Sequence, residues 1–302
     1  VANTIEYRTM ITQKVNGVRA VIFDVSGTVL DFGCRGPVEA FKTLFARNGV
    51  KISTEEARGP MGTHKRDHIQ TLLENPAISA RWEAANGTRP DALLLDELCA
   101  EFAPLLTQLL PQYSELIAGV PEIAAELRQR QIKIGSTTGF ESGMIYEVIP
   151  KAERAGFSPE VWVCPDHVGK GRPAPWMMFH AARKLDVYPL HAFVKVGDTP
   201  ADIAEGHAAG AWVVSVVLSG NEVGYSETEL EAMDPAERET KISSAHAKLA
   251  AGRPHYLIDT VADLMPVIAE ISDRIERGER PPAPTTCTPI SFTRAECVWS
   301  AS

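Results

Sequence analysis

Two acidic groups stand out by what precedes them. Asp24-Val25-Ser26-Gly27-Thr28-Val29-Leu30-Asp31 follows the apolar run Ala20 to Phe23, and Val196-Gly197-Asp198-Thr199, with Asp202 close behind, follows another. A lone aspartate after a strand is more often a helix cap than a reacting group. Two such clusters at strand ends instead offer the hard oxygen donors that bind a divalent cation, and magnesium suits them because it keeps waters and shares its shell with phosphate. A third group lies between them. Gly59-Pro60-Met61-Gly62-Thr63-His64-Lys65-Arg66-Asp67-His68 opens a helical pattern in which Lys65 and His68, three apart, share a face.

These residues need a scaffold that brings them together. Short apolar runs at Arg19 to Val25, Ile132 to Gly135, Val161 to Cys164, Phe193 to Val196, Trp212 to Leu218 and Tyr256 to Ile258 alternate with amphipathic stretches of helical length. That alternation predicts an α/β fold, a parallel sheet covered by helices on both faces. Ligands of such sheets sit at the carboxyl ends of the strands, where Asp24, Thr137, Thr138 and Asp198 fall. Between the first two runs, Gly33 to Tyr113 shows helical periodicity and almost no strand signal, with helices expected at Pro37 to Asn48, Thr63 to Leu73 and Pro90 to Leu110. We read 33–113 as a helical cap inserted into a core formed by 1–32 and 114–275. The tail, 276–302, contains Pro281-Pro282-Ala283-Pro284-Thr285-Thr286 and is expected to be flexible.

Composition narrows the function classes. The chain has 302 residues, 44% hydrophobic, with 39 acidic against 30 basic residues and a net charge of -9. That balance repels nucleic acid and anionic membranes, and no basic patch offsets it. No apolar run is long enough to span a membrane and no secretory pattern opens the sequence, so a cytoplasmic protein is expected. The five cysteines, Cys34, Cys99, Cys164, Cys287 and Cys297, have no metal-site spacing and are expected to be reduced.

The strand-terminal aspartate followed by Gly27-Thr28, with Gly197-Asp198 and Asp202, resembles the haloacid dehalogenase (HAD) superfamily, a Rossmann-like core with a cap. The resemblance implies that Asp24 is the nucleophile and that Asp24, Asp198 and the Ser26 carbonyl hold Mg2+, with Asp202 supporting them. Phosphatases of this group carry a second aspartate where Ser26 stands, to protonate the departing alkoxide; serine is a poor acid for that task. The cap stretch around Lys65, together with Asp31-Phe32-Gly33-Cys34 and Gly171-Arg172-Pro173-Ala174-Pro175-Trp176, is similar to the phosphonoacetaldehyde hydrolase (phosphonatase) family from about Arg19 to about Ile275.

That likeness implies roles for each position. Lys65 would form a Schiff base and His68 would carry protons. Arg172, Thr138 and Gly139 would hold the phosphonate, while Cys34, Met61 and Gly62 would contact the substrate. Phe140 departs from the family, which often has tyrosine there. The implied protein is a homodimer acting on a small phosphonate. Carbon can leave phosphorus only if something accepts its electron pair, and a protonated imine does so, which accounts for Lys65 and Ser26 together. The amine must first be neutral, at a cost in water of about 4.6 kcal/mol at pH 7. Two other readings remain open: a phosphatase or dehalogenase with Lys65 as a bystander, and a non-catalytic binder of a phosphorylated metabolite.

Overall fold

Runs of apolar residues become strands where both faces can be covered. The computed structural model describes residues 16–284 and 290–292. In it β1 (Ala20–Phe23), β2 (Lys133–Thr137), β3 (Val161–Val163), β4 (Phe193–Gly197), β5 (Trp212–Val216), β6 (Tyr256–Ile258) and β7 (Ile290–Phe292) form one sheet, ordered β3-β2-β1-β4-β5-β6-β7. Every pairing is parallel. β1, β4, β5 and β6 are buried along their full length, as a sheet covered on both faces requires. The six expected strands are all present, with small shifts at their ends.

The helices are α1 (Arg35–Arg47), α2 (Thr54–Arg58), α3 (Lys65–Glu74), α4 (Pro76–Asn86), α5 (Ala92–Leu109), α6 (Val120–Gln129), α7 (Ser142–Ile145), α8 (Ile149–Arg154), α9 (Trp176–Leu185), α10 (Pro200–Ala209), α11 (Glu227–Ala232), α12 (Pro235–Ala251) and α13 (Leu264–Glu276). Six of them, α1 to α6, lie between β1 and β2, and α1 to α5 fall in the segment expected to form the cap. α1 starts two residues before Pro37 because the Asp31 carboxylate accepts from the amides of Arg35 (3.0 Å) and Gly36 (2.9 Å), which a first helical turn leaves unpaired. α5 starts at Ala92 because Asp91 caps it, accepting from the Leu94 amide at 2.9 Å. Phe41 of α1 stacks on Phe102 of α5, ring centres 4.4 Å apart, and this apolar layer continues into the sheet.

β1 lies between β2 and β4, so the chain runs off in opposite directions on its two sides. A crevice opens at such a point, and Asp24 and Asp198 follow the two strands that border it. The tail departs from expectation. Ile290–Phe292 adds a strand beside β6, with the Ile290 amide donating to the His255 carbonyl at 3.2 Å, because an open sheet edge offers unpaired backbone groups to any nearby segment. Cys34, Cys99 and Cys164 are free thiols; Cys287 and Cys297 lie outside the described residues. Among the described residues no helix is long and apolar enough to cross a membrane.

Candidate active site

The carboxylates are set by backbone first. The Asp24 amide donates to the Val196 carbonyl at 2.8 Å, which places its side chain at the crevice. Asp198 receives the Thr28 hydroxyl on Oδ1 (3.0 Å) and the Asn221 amide on Oδ2 (2.8 Å). Position 27 has to be glycine: its φ is +87°, and a Cβ there would stand 2.3 Å from Asp198 Oδ2. Asp202 belongs to the cap of α10, where the Thr199 hydroxyl donates to Oδ2 at 2.5 Å. Its Oδ1 faces Arg172 Nη1 and Lys195 Nζ, both at 2.9 Å.

One oxygen from each of Asp24, Asp198 and Asp202 lies within 4.8 Å of the others, and all three residues are buried. Burial, then repulsion from Asp24 and Asp202, pushes Asp198 well above the usual carboxylate range. Burial and then Asp202 raise Asp24 too, against the pull of Arg172, whose Nη1 is 2.7 Å away. Against its burial, Arg172 and Lys195 hold Asp202 low. Crowded oxygen donors, two of them with raised pKa values, fit a hard divalent cation, whose charge relieves their repulsion.

Lys65 opens α3, facing this cluster from the cap. It is 4% exposed, with Nζ 3.9 Å from Met61 Sδ and 4.8 and 5.7 Å from the ring centres of Phe140 and Phe41. Burial pulls its pKa down to about 8, although Cys34 and Asp24 pull the other way. The positive end of the helix acts in the same direction as burial. His68 is on the same face, its ring stacked on Phe41 at 3.8 Å and its Nε2 2.9 Å from the Ala57 carbonyl. That contact makes Nε2 the donor. Nδ1 is left without a partner among the described residues, and burial and then the charge of Lys65 hold the ring neutral.

Asp24, Ser26, Cys34, Lys65, Arg172 and Thr138 line one narrow cavity between cap and core, to which Met61, Gly62, Gly139 and Phe140 also contribute. The seam is tight where glycines meet it. A Cβ on Gly62 (φ +85°) would stand 2.3 Å from Thr199 Oγ1, and one on Gly139 would stand 2.6 Å from the Thr63 carbonyl. Thr138 Oγ1 accepts from the Phe140 amide at 3.2 Å, leaving its own proton to give. Burial, then Asp198 and Asp31, keeps Cys34 a thiol. The Ser26 hydroxyl donates to Asp31 Oδ2 at 2.7 Å; burial raises Asp31 to about 6.

The comparisons with known proteins identify the family. The family model for haloacid dehalogenase-like hydrolases matches residues 18–210, and a HAD-hydrolase-like model matches 169–264. The chain is 44% identical over 254 residues to phosphonoacetaldehyde hydrolase of Bacillus cereus (strain AH187), covering 84% of this chain and 96% of that one. The chain belongs to the phosphonoacetaldehyde hydrolase family. Its relative of the same name from Bacillus anthracis is 43% identical over 262 residues, 87% of this chain and 98% of that one. A crystal structure of a phosphonoacetaldehyde hydrolase-like protein from Oleispira antarctica superposes with a TM-score of 0.86 at 37% identity, covering 89% of this chain and 99% of that one. Membership makes the protein a hydrolase with the HAD core and helical cap, and it removes the non-catalytic reading.

Sequence reasoning missed Lys195 and Glu205, which join Arg172 and Asp202 in a buried network. A signal was present. Lys195 interrupts the apolar run Phe193 to Val196, and a lysine in a strand covered on both faces has to be paired.

Proposed function

We propose that the protein hydrolyses phosphonoacetaldehyde to acetaldehyde and phosphate, with Mg2+ held by Asp24, Asp198 and the Ser26 carbonyl. The observation that carries this reading is Lys65: an amine buried over the crevice, lacking a carboxylate partner among the described residues and depressed to about pKa 8. A bystander lysine on a cap surface would be solvated and fully charged.

The neutral Lys65 amine attacks the aldehyde, and loss of water gives a protonated imine. His68, neutral and with Nδ1 free to accept, relays protons in that step. Arg172 and the Thr138 hydroxyl, with the Gly139 backbone, hold the phosphonate oxygens in line with Asp24. Asp24 attacks phosphorus; the carbon-phosphorus bond breaks and its electron pair moves into the imine, leaving an enamine on Lys65 and a phosphoryl group on Asp24. Protonation at carbon and hydrolysis release acetaldehyde, and water opens the mixed anhydride to give phosphate. Bound Mg2+ supplies positive charge that offsets repulsion between Asp24 and the phosphonate. No acid is needed at position 26, because carbon leaves as an enamine.

The assay that tests this compares phosphonoacetaldehyde with a phosphate monoester in wild type and Lys65→Arg. We expect phosphonate cleavage in the wild type and at least a 1,000-fold loss in the variant, on the order of 4 kcal/mol of barrier. Full activity of Lys65→Arg would instead favour a phosphatase. We further propose a cytoplasmic homodimer, with exposed Trp176 and Phe179 as apolar surface available for the contact.

A further inference from the structure

We propose that Glu205 is a positioning residue that fixes the plane of the Arg172 guanidinium and so presents one nitrogen, Nη1, to the phosphonate; this rests on the role of Arg172 in the function proposed above. Glu205 lies on α10 beyond Asp202, has no exposed surface, and does not line the cavity. Its Oε2 nevertheless gathers three donors: Arg172 Nε at 3.0 Å, Thr137 Oγ1 at 3.1 Å and Lys195 Nζ at 3.2 Å. Thr137 closes the other side of the clamp, its carbonyl and hydroxyl accepting from Arg172 Nη2 at 2.7 and 2.9 Å. Two of the three guanidinium nitrogens are thereby committed to residues behind the cavity.

A planar group held at two nitrogens cannot turn about its stem, so Nη1 keeps one direction, toward Asp24 Oδ1 at 2.7 Å and Asp202 Oδ1 at 2.9 Å. A phosphonate bound beside Asp24 would meet Nη1 from that direction. A buried carboxylate is costly to desolvate, and Arg172 and Lys195 together make this one tolerable. Glu205 therefore acts on the substrate only through Arg172. The predicted consequence is specific to the acceptor atom. Glutamine can keep an oxygen on the three donors, whereas aspartate, one methylene shorter, withdraws it.

The experiment uses the full chain with Mg2+. Affinity for inorganic phosphate is measured by calorimetry, alongside KM and kcat for phosphonoacetaldehyde, in E205D, E205Q, R172K and E205D/R172K, with melting curves to report the fold. We expect E205D to weaken phosphate binding and raise KM about tenfold, with a smaller change in kcat. E205Q should stay within about threefold of wild type, and the double variant should bind phosphate no worse than R172K alone, because the two residues act as one unit. Wild-type affinity in E205D, or losses that multiply in the double variant, would overturn the proposal. If E205D does not fold, E205Q decides: retained phosphate affinity supports the clamp, and a tenfold loss with an unchanged melting temperature contradicts it. Absence of phosphonoacetaldehyde turnover in every protein, wild type included, would refute the proposed reaction while the phosphate affinities still decide Glu205.

Discussion

At the scale of a residue, the proposed reaction requires a lysine that is neutral near pH 7. With its pKa at about 8, Lys65 pays about 1.4 kcal/mol for neutrality at pH 7, against about 4.6 in water. The deprotonated amine is the reactive form, so kcat/KM should climb about tenfold per pH unit well below pH 8 and level off above it. A profile that is flat from pH 6 to 9 would show that Lys65 does not limit the reaction. Of the residues assigned to this chemistry, Asp24 after a strand and Lys65 opening a helix stood out by local pattern, while Arg172 came from the resemblance around Gly171 and Pro173. Glu205 did not stand out, and Thr137 did so only as a strand-end residue, because their contacts depend on which faces of a helix and a strand turn toward Arg172. Spacing along a single chain does not report that.

At the scale of an element, the decisive feature is the seam between cap and core. Arg58, at the end of α2, reaches across it, donating from Nη1 to the Gly33 carbonyl (2.8 Å) and from Nη2 to the Gly224 carbonyl (2.7 Å). Its Nη1 also meets Asn221 Oδ1 at 3.2 Å, and the amide of that asparagine holds Asp198. Closing the cap and orienting a proposed metal ligand therefore share one loop. Arg58→Ala should raise KM roughly tenfold, as charged hydrogen bonds of about 1.5–3 kcal/mol are lost, and steady-state kinetics check this; an unchanged KM would mean the contact is incidental. Gly62→Ala brings a Cβ against Thr199 and costs about 1 kcal/mol in backbone conformation besides. It should lower kcat/KM about 100-fold while the melting temperature falls only a few degrees. Helices α1, α3 and α5 were expected from their periodicity, whereas α4, which buries only Ile78 and Trp82, was not. α2 was not, since five residues carry too little pattern; its signal was the capping box of Ser53 and Glu56, whose two hydrogen bonds are 3.0 and 2.8 Å. β7 escaped because its pairing is supplied by the edge of β6 rather than by its own sequence.

At the scale of the whole molecule, a net charge of -9 opposes an anionic substrate, so attraction has to be local, from Arg172, Lys195 and a cation at the aspartates. The repulsion among Asp24, Asp198 and Asp202 predicts that Mg2+ stabilises the fold. At a hundredfold excess over its dissociation constant it contributes about 2.7 kcal/mol, or roughly 5 °C in Tm, and calorimetry with and without a chelator measures it. No change in Tm would argue against the site. Sedimentation should give twice the 32.9 kDa chain mass, and a monomer would contradict the proposed assembly. The central claim, however, is that an amine on the cap makes carbon a leaving group from phosphorus, and trapping that amine tests it most directly. Intact Mg2+-loaded protein is mixed with phosphonoacetaldehyde and borohydride, and its mass and peptides are read. The account predicts a reduced two-carbon adduct on Lys65 alone; protein that releases phosphate yet never gains that mass would contradict it.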